Sequence, residues 1–331
     1  MAEYISFQPS DYYSTKLYTG NGSTQSITGV GFQPDLAWGK QRAGTQWPSL
    51  VDAVRGTTKY VYSSETNAEA TASDRLTSFD ADGFTLGSAA HWNANTETYV
   101  AWNWKAGTTS GIAGSPSITP TGYSFNATAG FSIIAYTGNG TSGATLPHGL
   151  GVAPDLITVK CLSHTGSWPV YHTSLGATKY LELNQNSDVQ TGTSRWNDTA
   201  PTSTLFSLGN TANVNENLRT YVAYCFTEKI GYSKIAEYWG NGQSTDGTFV
   251  YTGFRPSFIL MKRTSGGTAN WQIFDDKRVG YNGGNSYLSP NDDAIENTGG
   301  QIDIVSNGFK MRNSGTYTNA SGDTYMYAAF A

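Results

Sequence analysis

One short phrase occurs three times along the chain, and any fold must accommodate all three copies. It reads aromatic, one residue, Gly-Asn-Gly, then a proline-led turn and an apolar stretch ending in lysine. The first copy is Tyr18-Thr19-Gly20-Asn21-Gly22, with Gly31-Phe32-Gln33-Pro34-Asp35-Leu36 and Lys40 behind it. The second is Tyr136-Thr137-Gly138-Asn139-Gly140, with Gly149-Leu150, Pro154-Asp155-Leu156 and Lys160. The third is Tyr238-Trp239-Gly240-Asn241-Gly242, with Gly253-Phe254-Arg255-Pro256-Ser257-Phe258 and Lys262. Later landmarks keep step, since Gly83-Phe84, Leu205-Phe206 and Gly308-Phe309 recur at nearly the same intervals. So do the aromatic runs that begin at Tyr99, Tyr221 and Tyr325. Self-similarity at this period marks three repeated structural units.

The spacing predicts a leading segment over 1–17, repeats over 18–106, 131–230 and 231–331, and a Gly/Ser/Thr/Pro-rich join over 107–130. Within each repeat the apolar residues alternate or run in short blocks between turn residues. No stretch carries a convincing helical period. Composition agrees: charged residues are 14% of the chain, against roughly 25% in ordinary globular proteins. Gly is 38 of 331 and aromatics are 13%. The expected fold is all-β: three tandem antiparallel β-sandwich or jelly-roll-like repeats with little helix. Asn21-Gly22 and its counterparts read as hairpin turns.

A net charge of −5 gives no basic footprint for nucleic acid. No run approaches the 18 or so apolar residues of a spanning helix, so no membrane insertion is expected. Cys161 and Cys225 cannot form a disulfide framework and read as two buried thiols, with a single bridge as the alternative. Asp80-Ala81-Asp82-Gly83 and Asp275-Asp276 lack the further ligands of a calcium loop and read as turns. His91, His148, His164 and His172 show no metal-ligand spacing, and no nucleophile elbow or paired-carboxylate site stands out. No catalytic residue, metal or cofactor is therefore expected.

Trp47, Trp168 and Trp271 stand 11, 12 and 13 residues beyond Leu36, Leu156 and Phe258, and this recurrence assigns them to the core. Trp92, Trp196 and Trp239 have no aromatic counterpart in the other repeats and flank polar loops, Arg195 among them. A flat indole face beside amides and charges suits a sugar ring, so these four are the candidate ligand contacts. The alternative is burial at contacts between repeats or subunits.

Asn126 to Lys160, including Ala129-Gly130-Phe131-Ser132-Ile133-Ile134, Tyr136-Thr137-Gly138-Asn139-Gly140 and His148-Gly149-Leu150-Gly151, resembles a β-rich module of tailed-phage virion proteins. Asp82-Gly83-Phe84-Thr85-Leu86-Gly87 and Tyr99-Val100-Ala101-Trp102-Asn103-Trp104 resemble a companion module of such proteins, and Phe249-Val250-Tyr251-Thr252-Gly253-Phe254 fits as well. The resemblance implies a non-enzymatic structural protein on the particle surface, either a fibre-type adhesin or a capsid decoration protein. Its partners would be other virion proteins and itself, as a homotrimer. The rival reading is a carbohydrate-binding receptor module, and a glycan-depolymerising enzyme ranks last. The start of the chain lacks the basic and apolar parts of a secretory signal, so synthesis in the host cytoplasm is expected, and the resemblance implies residence in the virion.

Overall fold

A computed structural model describes residues 7–278 and 285–331. Residues 1–6, where the leading segment shows its alternation at Tyr4 and Ser6, lie outside that description. The described residues are nearly all β, with two four-residue α-helices at Ala90–Asn93 and Thr193–Trp196 and a 3-10 turn at Pro9–Asp11.

Three large antiparallel sheets carry the architecture. The first orders its strands Tyr13–Thr19, Thr98–Trp104, Leu36–Gln41, Ser49–Asp52, Lys59–Tyr62 and Ala70–Thr71. The second repeats that order as Phe131–Thr137, Thr220–Phe226, Leu156–Cys161, Pro169–His172, Lys179–Glu182 and Gln190–Thr191, with Gly122–Asn126 added at its edge. The third runs Ser233–Trp239, Thr324–Phe330, Phe258–Arg263, Gln272–Asp275 and Tyr287–Leu288. A small sheet covers one face of each. These are Gln25–Thr28 with Gly83–Leu86 and Leu76–Asp80, Ala144–Pro147 with Leu205–Leu208, and Phe249–Tyr251 with Gly308–Met311 and Ile302–Val305. The first large-sheet strand begins at Tyr13, inside the expected leading segment, and the extra edge strand comes from the expected join.

Each closing strand carries apolar residues on both faces, a pattern that requires cover on both sides. In Thr98–Trp104, for example, six consecutive residues are buried. One face meets the unit's own small sheet, giving three separate cores around Phe84, Phe206 and Phe309. The other faces of all three large sheets meet each other in a single shared core. At its base the closing-strand residues Trp104, Phe226 and Phe330 form a triangle with ring centroids 6.0, 5.6 and 5.8 Å apart. The sandwiches therefore close into a ring with approximate threefold symmetry.

The Gly-Asn-Gly phrase follows from this geometry, and its turns are not hairpins. Each links the first strand of a large sheet to a strand of the opposing small sheet, so the strands it joins do not pair. A buried asparagine, Asn93, Asn215 or Asn319, accepts from the backbone N–H of Asn21, Asn139 or Asn241 at 2.8, 2.9 and 3.0 Å. The first glycine is dictated by contact, because a Cβ on Gly20 would lie 2.2 Å from the Ala94 carbonyl oxygen. The second adopts φ near +70° in all three copies, which glycine alone adopts at no steric cost.

One residue of register separates the three tryptophans expected in the core. Leu36 pairs with Asp52, Leu156 with His172 and Phe258 with Asp275. Trp168 and Trp271 stand four residues before those partners and are fully buried, while Trp47 stands five before and is 37% exposed. Their indole N–H groups donate to the carbonyls of Tyr62 and Glu182 in the preceding unit. Cys161 and Cys225 are both buried and free.

Candidate functional site

The buried charged and polar groups concentrate at the three seams between units. Lys40, Lys160 and Lys262 are almost wholly buried. Each reaches across its seam to a backbone carbonyl of a neighbouring unit, at Asp293 (3.2 Å), Thr66 (2.9 Å) and Asn186 (3.3 Å). Burial pushes all three amines down to about 8. Backbone bonds run beside them, Glu69 N–H to Leu162, Ala269 to Asn186 and Glu296 to Arg42.

Nearer the axis, the Tyr224 hydroxyl donates to Asp52 at 2.8 Å and the Trp102 indole to Asp275 at 3.0 Å. Arg55 and Arg278, three residues on, pair with those same aspartates at 2.5 and 2.6 Å. Among the described residues, the remaining seam shows no ion pair at this place. His172 lies 3.4 Å from the Tyr327 carbonyl there, and burial pushes its imidazole down to about 4. These groups are satisfied by each other and by main chain, so their chemistry is to fasten units together.

The four sequence-predicted contact residues do not converge. Trp92 is 1% exposed, donates its indole N–H to Ser49 at 2.7 Å and meets Phe84 edge-on. Trp196 is likewise 1% exposed, set against Tyr171. A ring enclosed in a core cannot stack a solution ligand, which corrects the expectation for both. Arg195 stacks over Tyr180 at 4.6 Å and donates to Thr211, just as Arg75 stacks over Tyr60 at 3.6 Å in the first unit. It holds a shared structural position.

Trp239 alone is open, at 59% exposure. The same unit exposes two aromatics that the sequence reading passed over, Phe249 and Tyr251, which share the outer face of an edge strand. Register places Ser26 and Thr28 there in the first unit and Thr145 and Pro147 in the second. The Phe249-Val250-Tyr251 alternation was the available signal. Lys310 and Asp246 pair beside them at 2.8 Å.

Of the aspartates expected in turns, Asp82 accepts the N–H groups of Gly31 and Gly29, which lower its carboxyl below the usual range, while Asp275 also holds the seam to Trp102. Among the described residues, no group of three or more His, Cys, Asp or Glu could hold a metal ion, and no helix is long and apolar enough to cross a membrane.

No curated protein and no solved structure matches the chain. A family model does match, over residues 8–331, and the chain belongs to that family, described as Domain of unknown function (DUF7483).

Proposed function

We propose that this is a non-enzymatic structural protein of a tailed-phage virion, carried on the particle surface as an attachment or capsid decoration component. The observation that carries the proposal is the closed threefold ring, in which one chain builds a rigid β body around a shared aromatic core. Its buried charges are spent on seams, an arrangement suited to a durable building block. The likeness of its repeated motifs to phage virion modules supplies the setting. Because the threefold form lies within one chain, the protein acts as a single copy where a homotrimer would otherwise stand. Quantitative mass spectrometry of gradient-purified particles tests this. A fixed copy number relative to the major capsid protein is expected: hundreds for a decoration role, a handful for a tail or fibre role. Absence from particles would overturn the proposal.

A second reading, host contact through the third unit, is favoured by the exposed Trp239, Phe249 and Tyr251. Trp239→Ala particles should then adsorb to host cells more slowly with copy number unchanged.

A further inference from the structure

The three units fill the space beside the second large-sheet hairpin differently. In the first unit Ser49 accepts from the Trp92 indole, and the Tyr62 hydroxyl bonds Arg75 at 2.7 Å and lies 3.2 Å from His91. Those side chains occupy the space and bond one another. Register carries each position into the third unit. Gln272 stands for Ser49 and Ser289 for Tyr62. Thr318 stands for Trp92, since each offers its carbonyl to the equivalent tyrosine hydroxyl, Tyr18 at 2.9 Å and Tyr238 at 2.7 Å. Gln301 stands for Arg75, by its backbone bond to the end of the small sheet. Two large fillers have become a serine and a threonine, and an arginine has become a glutamine.

The result is a cavity of about 130 Å³ in the third unit, open at one side. Gln272 lines it and is 1% exposed, yet neither its Oε1 nor its Nε2 has a partner among the described residues. Native proteins rarely leave a buried carboxamide unmet at both ends. Around it stand Asn270, Asn297 and Ser289, with Tyr287 and the half-exposed Tyr317 as aromatic walls. Asp292 is present too, already accepting from Asn270 at 2.7 Å and from the Ala294 N–H at 3.1 Å.

We propose that this cavity is a binding site for one neutral sugar ring, with Gln272 as its anchor. A carboxamide that offers a donor and an acceptor side by side matches a vicinal diol, in which each hydroxyl both gives and takes. The surrounding amides and the serine extend that match to further hydroxyls, and tyrosine faces suit the C–H face of the ring. No lysine or arginine lines the cavity, so an anionic ligand finds no counter-charge. The site depends on neither the virion setting nor the exposed Trp239 surface.

Ligand-observed NMR and crystal soaks with the methyl α-glycosides of glucose, mannose and galactose test the proposal on the full chain. At least one is expected to saturate the wild type and to appear against Gln272. Gln272→Leu should weaken it about tenfold or more, by loss of two hydrogen bonds, while raising the unfolding midpoint because the unmet amide is gone. A side chain with a purely structural role would move stability alone. Tyr317→Ala, at the exposed mouth, gives a second variant that folds independently of core effects and should also weaken binding. No binding of any of the three glycosides, only ordered water in the cavity, or equal affinity in Gln272→Leu and Tyr317→Ala would overturn the proposal.

Discussion

Thr158 faces the shared core and lines a small apolar cavity of about 40 Å³ on the approximate axis, where its Oγ1 finds no partner. Trp38 and Leu260 hold the matching strand positions in the other two units. Replacing the hydroxyl by a methyl group removes an unmet polar atom and leaves the shape unchanged. Thr158→Val should therefore stabilise the protein by about 1 kcal/mol, read as a higher denaturant midpoint at unchanged slope. A loss of stability would mean that the hydroxyl has a partner, such as water in the cavity. At this same scale the sequence misled. Trp92 and Trp196 lack aromatic counterparts and flank polar loops, a pattern that points to ligand contact. Both are buried because non-equivalent residues fill the space in each unit, and strand register, hidden in the sequence, decides which.

At the scale of elements, the proline-led and closing strands were legible because they are mostly apolar and bounded by turn residues. Two-sided burial of the closing strands was legible too: in the first, Val100, Trp102 and Trp104 alternate with Tyr99 and Ala101, and Asn103 is the one polar residue among them. What that cover consists of was not. Two of the three seams rest on a buried aspartate held by an arginine of its own unit and an aromatic donor of the next. Asp52→Ala would leave Arg55 buried without its nearest counter-charge and the Tyr224 hydroxyl without its acceptor. A cost of about 3–5 kcal/mol is expected, measured by equilibrium unfolding. A change below about 1 kcal/mol, the range of surface pairs, would show that this seam does not depend on the pair.

Over the whole molecule, the shared core couples the units, so thermal unfolding should give one transition, and light scattering should give a monomer of 35.6 kDa. Three resolved transitions would contradict a ring closed within one chain, and a trimer would overturn the single-copy reading. Acid should loosen the ring. Burial pushes His91, His148 and His172 down to about 4, below the ~6.5 of an unfolded chain. The unfolded state thus binds more protons between those values. This stabilising contribution is present above about pH 6.5 and is lost as pH falls through 4. The unfolding midpoint should drop over that window, and drop less in His172→Gln. An identical profile for the variant would exclude His172 as a contributor.

A ring assembled from three copies of one polypeptide must accept every substitution three times, once in each subunit. Here each position of the ring has its own codon. The third unit could exchange the equivalents of Tyr62 and Trp92 for Ser289 and Thr318 while the first kept its filled interior. One seam could likewise replace an aspartate with His172 while the other two kept their ion pairs. Covalent linkage thus lets a threefold scaffold acquire a single, unrepeated feature without endangering the other two-thirds of its frame.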